Sequence, residues 1–167
     1  MLRHISALPV AFFIAVGQVC AQERSIQLPG GEELRYQLVE PGSPSSARPA
    51  ALALLRLLAD GDIEAAAKMS NAPQRRLEVL REFRRSIGEE RFKELFGRYF
   101  ALENRILAEA AIGKHRLLIW DLGEAGNQLA GQYYVEVEGK FLIDDVPNKE
   151  RSDLQRVLEA YRRQTAR

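Results

Sequence analysis

Cysteine is nearly absent from this chain: Cys20 is the only one in 167 residues. A lone thiol closes no intrachain disulfide, and it assembles neither cysteine-ligated zinc nor a dithiol redox pair. Histidine is almost as scarce, with only His4 and His115, so no paired spacing for a metal exists. Positive charge is not in excess. The 24 Lys plus Arg face 23 Asp plus Glu, which leaves no surplus for sequence-independent binding to nucleic acid. Apolar runs are short as well, since Ile5 to Val16 falls below the roughly 20 residues that a spanning helix needs. What is present is ordinary globular material, 46% hydrophobic and 28% charged, and collagenous, low-complexity and wholly disordered classes are excluded.

The first 21 residues follow the plan of a secretory signal: Arg3, the apolar stretch, then Val19-Cys20-Ala21 ahead of Gln22. Cleavage after Ala21 would remove the one cysteine and leave a chain expected to be soluble in the periplasm or outside the cell. A lipoprotein acylated at Cys20 is the alternative, for which Gly17 and Val19 are poorly suited lipobox residues.

After the leader, residues 22–46 read as a hairpin and a linker. Ser25 to Leu28 and Leu34 to Val39 alternate apolar and polar around Pro29-Gly30-Gly31, and Pro41 to Ser46 is rich in structure breakers. A single domain is expected over 47–167. Its first half has helical spacing: a helix ending at Asp60-Gly61, a short one capped by Asp62, a third starting at Pro73 and broken at Gly88. Phe92, Leu95, Phe96, Tyr99 and Phe100 then make an i, i+3, i+4, i+7, i+8 stripe that belongs in a core.

Beyond Phe100 the period changes to 2. Leu102, Ile106, Ala108, Ala110 and Ile112 alternate with Glu103, Arg105 and Glu109, predicting a strand with one apolar and one wet side. Arg116 to Leu122 reads as a central strand. Leu129, Tyr133, Val135 and Val137 alternate with Gln132, Tyr134, Glu136 and Glu138, and Glu138-Gly139 turns into Phe141-Leu142-Ile143. The expectation is a four-stranded antiparallel meander whose wet side carries Gln128, Gln132, Glu136 and Glu138. A last amphipathic helix carries Leu154, Val157, Leu158 and Tyr161. The fold class is α+β, helices packed on a curved antiparallel meander with a C-terminal helix added.

The helical leader Leu54-Leu55-Arg56-Leu57-Leu58-Ala59-Asp60-Gly61-Asp62 and the closing hairpin Tyr133 to Asp144 resemble the nuclear transport factor 2-like (cystatin-like) group of cone-shaped domains. The resemblance covers about residues 47–146, and the helix after Asn148 departs from it. It implies a cone that holds a small apolar ligand, or one with an Asp, His or Tyr inside that transfers a proton.

Candidates for such a role are His115, Asp121, Tyr133, Tyr134, Asp144 and Asp145. His115 and Asp121 share a strand face but lie roughly 20 Å apart, so they form no dyad; both read as strand-end residues meeting solvent. Tyr133 reads as a core ring, and Asp144-Asp145 as a strand terminator. No cofactor is implied. The most unusual polar feature is Arg75, Arg76, Arg81, Arg84 and Arg85 on the third helix. Arg81, Arg84 and Arg85 share one face, where guanidinium forks suit carboxylate or phosphate, against the plainer reading of a solvated, ion-paired face. The leading reading is a non-enzymatic periplasmic or secreted module that binds a protein or an anionic envelope component. A carrier of a small apolar ligand is the alternative, with a cone-type isomerase, dehydratase or hydrolase behind it.

Overall fold

The computed structural model describes residues 22–101, 104–123 and 129–165; the leader with Cys20, and Leu102, Glu103 and Gln128, lie outside them. Among the described residues the chain is α+β. The elements run β1 (Gln22–Gln27), β2 (Glu33–Leu38), α1 (Arg48–Asp60), α2 (Ile63–Lys68), α3 (Pro73–Ile87), α4 (Glu89–Gly97), a 3-10 turn at Arg98–Phe100, β3 (Arg105–Ile112), β4 (His115–Asp121), β5 (Leu129–Val137), β6 (Lys140–Ile143) and α5 (Lys149–Thr165). The six strands form one antiparallel sheet in chain order. The hairpin before Pro41 is therefore part of the domain's sheet, joined to β3 by Gln37↔Ala111 and Leu38↔Ala110.

Local sequence explains most boundaries. Gly61 takes a left-handed φ of 82° and its N–H closes the end of α1. Asp62 caps α2 by accepting from the Ala65 N–H at 3.0 Å. Pro73 starts α3, where its missing donor costs nothing. Glu138 and Gly139 both have positive φ, the geometry of a two-residue turn between Val137 and Lys140.

Both faces of the sheet are covered. On one, Leu54, Leu55 and Leu58 of α1, Ile63 and Ala66 of α2, Leu80 of α3 and Phe92 of α4 bury against Leu118, Trp120, Tyr134 and Ile143. Phe83, Phe92, Phe96, Tyr99 and Trp120 touch in sequence, mostly edge to face. On the opposite face Leu154, Val157 and Leu158 of α5 bury against Ala110, Leu117, Ile119 and Leu129, with Tyr36 of the hairpin alongside.

This double cover corrects the expected wet sides. A bulge between Ile106 and Ala108 shifts the register of β3 on β4. Ile106 packs with the α1–α4 layer while Ala108, Ala110 and Ile112 pack toward α5, so they do not share one side. Glu109, expected in water, is 1% exposed. Tyr134, placed on the wet side of β5, is likewise buried, and Gln132 beside it is half-buried. The aromatic stripe also splits. The helix gives way to the tighter 3-10 turn after Gly97, which leaves Phe92 buried and Phe100 40% exposed with the Arg56 guanidinium over its ring.

Candidate functional site

The turn after β6 gathers polar side chains from five parts of the chain. Asp144 is buried; its carboxylate accepts from Asn71 Nδ2 at 2.8 Å and Asn148 Nδ2 at 2.9 Å, and lies 2.9 Å from His115 Nδ1. Asp145 takes both Nε and Nη2 of Arg76 at 2.7 and 2.5 Å, and the Ser70 hydroxyl donates to it at 2.6 Å. The backbone supports this arrangement. Asn71 N–H donates to Ile143 O and Ile143 N–H to Met69 O, so the segment after α2 covers the outer edge of β6. Asn148 caps α5 by accepting from the Arg151 N–H at 2.7 Å.

Each aspartate is thus already occupied by donors, a bidentate guanidinium in the case of Asp145. His115 faces inward to Asp144 rather than out to solvent as the sequence suggested. Asp121 is at the other end of β4, 3.5 Å from Arg105, and caps the Gly123 N–H. Tyr133 lies under the Arg151 guanidinium, 5.3 Å from its ring centre, and burial raises its phenol pKa more than Arg151 and Arg162 lower it. Tyr134 is also raised by burial, and its hydroxyl donates to Gln132 Oε1 at 3.3 Å.

Two cavities flank the cluster. One, of about 330 Å³, lies between the starts of α3 and α5 and is faced by Arg75, Arg76, Asp145, Asn148 and Arg151. The other, of about 280 Å³, opens between the α1–α4 layer and β5, with Leu54, Leu58, Leu80, Phe96, Gln132 and the Asp144 carboxylate in its wall. Gln132 reports on that wall, because it accepts from Trp120 Nε1 at 3.0 Å. Arg76, Asp145 and Arg151 face both cavities. His115 faces neither.

The arginines of α3 divide. Arg75 and Arg76 turn toward the cluster, whereas Arg81, Arg84 and Arg85 line a separate shallow surface with Gly88 and Glu89. Arg81 reaches Glu64 at 3.4 Å, and Arg84 donates to Gly61 O at 3.3 Å. Sequence reasoning did not bring Ser70, Asn71, Asn148 or Arg151 to the site. Their partners are 69 to 75 residues away for the α2–α3 segment, beyond any local pattern; only the cap at Asn148 had a local sign, its place just before a helical run. Among the described residues no group of three or more His, Cys, Asp or Glu is placed to hold a metal ion. Comparison with protein-family models, curated proteins and solved structures gives no match.

Proposed function

We propose that this is a non-enzymatic binding module of the bacterial envelope that recognises an anionic partner at the arginine-lined cleft between α3 and α5. The observation that carries this reading is the contrast among the cleft's three guanidinium groups. Arg76 is neutralised by Asp145, Arg75 reaches only the Asp145 carbonyl at 3.4 Å, and Arg151 rests on an aromatic ring. Two forks are left for carboxylate or phosphate. The engaged state of Asp144 and Asp145, and the position of His115 away from either cavity, favour binding over proton transfer. The leader-like first 21 residues support a periplasmic or secreted location, and no helix among the described residues is long and apolar enough to cross a membrane.

A nuclear transport factor 2-like ancestry is part of the proposal. The helices before the meander support it; α5 on the far face is the departure. The apolar cavity supports the carrier as second reading, since it lies near the lower end of small-molecule pocket sizes, about 300 Å³.

Retention on an immobilised polyanion under a salt gradient tests the cleft. The double variant Arg75→Glu, Arg151→Glu should elute at distinctly lower salt than the parent, and the triple variant Arg81→Glu, Arg84→Glu, Arg85→Glu less so. Loss confined to the triple variant would move the site to the far end of α3. Unchanged retention of both would sink the reading.

A further inference from the structure

The two cavities differ in chemistry and meet at shared residues. The more apolar one has Leu54, Leu58, Leu80, Phe96 and Ile143 in its wall together with Gln132 and the hydrogen-bonded Asp144, the other is a mixed surface around its arginines, and Arg76, Asp145 and Arg151 belong to both. Resting on the anion-binding reading above, we infer that they form one groove for a single amphiphile: an unbranched alkyl chain that lies against Leu54, Leu58, Leu80 and Phe96, with a carboxylate head held by Arg75 and Arg151.

The physical case has three parts. An apolar wall gains free energy only by covering apolar surface, so the part of this cavity walled by Leu54, Leu58, Leu80 and Phe96 favours hydrocarbon. Its rim at Arg76 and Asp145 is a closed ion pair that offers an incoming head no net charge. The guanidinium groups of the two cavities without a carboxylate partner among the described residues are Arg75, in the arginine cleft, and Arg151, which faces both cavities. A ligand that satisfies both regions therefore has its charge at one end and its chain at the other. A planar carboxylate matches the guanidinium fork in a bidentate way that an ammonium or an alcohol does not. The size is modest. Cavities of about 280 and 330 Å³ suit a medium-length chain and exclude a two-chain lipid held whole.

The molecule carries its own reporter. Trp120 is the chain's only tryptophan; it is 2% exposed, and its indole N–H is held by Gln132 in the cavity wall. A chain entering the cavity perturbs Gln132 and so shifts Trp120 emission, whereas an anion bound only in the arginine cleft does not.

The test titrates the purified protein with decanoate, decanol, decyltrimethylammonium and acetate, following calorimetry and Trp120 emission together. Decanoate is expected to bind at least tenfold more tightly than the other three and to shift the emission. Arg75→Ala with Arg151→Ala should weaken decanoate at least tenfold and leave decanol unchanged, while Leu54→Phe should weaken both chains and leave acetate unchanged. Should decanoate and decanol bind alike, with no effect of the arginine variants, the cavity takes a chain alone and the single-groove inference fails. Should acetate and decanoate bind alike, lose affinity together in the arginine variants and leave Trp120 silent, the inference fails while the anion reading stands. Absence of binding by every probe overturns the single-groove inference, and the anion reading is then decided by the polyanion retention described above.

Discussion

The two faces of the sheet are built on different principles. The face under α5 is mainly aliphatic: Ala110, Leu117, Ile119 and Leu129 meet Leu154, Val157 and Leu158 with Tyr36 beside them, and among the described residues the buried carboxylate there is Asp153, which ion-pairs with Lys149 and Arg156 at the helix surface. The face under α1–α4 mixes rings and leucines with buried polar groups. Glu109 accepts from the Ser46 hydroxyl at 2.6 Å and the Ala47 N–H at 2.7 Å, and Arg48 Nε, which lacks a hydrogen bond, lies 3.6 Å from it. Arg116 donates to the carbonyls of Ser45 and Gly113 and stacks on Phe141, with burial lowering its pKa against the opposing pull of Glu109. An aliphatic face gains from area alone, whereas a buried polar face loses stability with each group left unsatisfied. That requirement fixes where α1 begins on the sheet. The smaller cavity opens where the two faces meet, beside the start of β5.

The contrast breaks most sharply at Glu109. Replacing it with Ala strands the Ala47 N–H, the Ser46 hydroxyl and the Arg48 guanidinium, and should cost about 4 kcal/mol in urea unfolding. Glu109→Gln, which keeps the hydrogen-bonding shape, should cost less than half as much; equal losses would mean that charge rather than bonding holds α1. On the aliphatic face Leu158→Ala should cost about 3 kcal/mol, a cavity penalty, with no shift in Trp120 emission because that indole lies on the other side.

Gly131 sharpens the boundary between the faces. A Cβ there would come within 2.6 Å of Leu158 Cδ2 and 3.1 Å of Leu117 Cδ1, so Gly131→Ala should cost about 2 kcal/mol through overpacking. A neutral result in thermal unfolding would show that α5 can shift outward. Gln132→Leu leaves the Trp120 N–H buried without its acceptor, an expected cost of about 1 kcal/mol, accompanied by altered emission.

The last effect concerns pH. The Tyr36 phenol is pushed up to about 12 from an ordinary 10.0, by burial first and then by Tyr161 beside it. The folded chain keeps that proton at a pH where the unfolded chain has released it. Its contribution is therefore complete below pH 10 and is lost as pH rises through 12. Urea midpoints should hold steady up to pH 10 and fall above it, and Tyr36→Phe should flatten that fall.

The helices, most of their starts and stops, the turns and the α+β class were legible in the sequence, because each rests on contacts within a few residues: Asp62 on Ala65, Gly61 on α1, Pro73 at a helix start; the end of α4 at Gly97, short of Phe100, was not. The apolar spacing of α5 was equally plain. Which side of each strand would be covered was not. Period 2 separates two sides of a strand without saying whether water or a second layer lies beyond the polar one, and the bulge in β3 then exchanged its sides. Docking α5 on one face and α1–α4 on the other buried Glu109 and Tyr134, drew His115 to Asp144, and separated Arg75 and Arg76 from Arg81, Arg84 and Arg85. These outcomes depend on residues many tens of positions apart meeting across packed layers. Local propensity carries no information about such meetings; only the tertiary packing decided them.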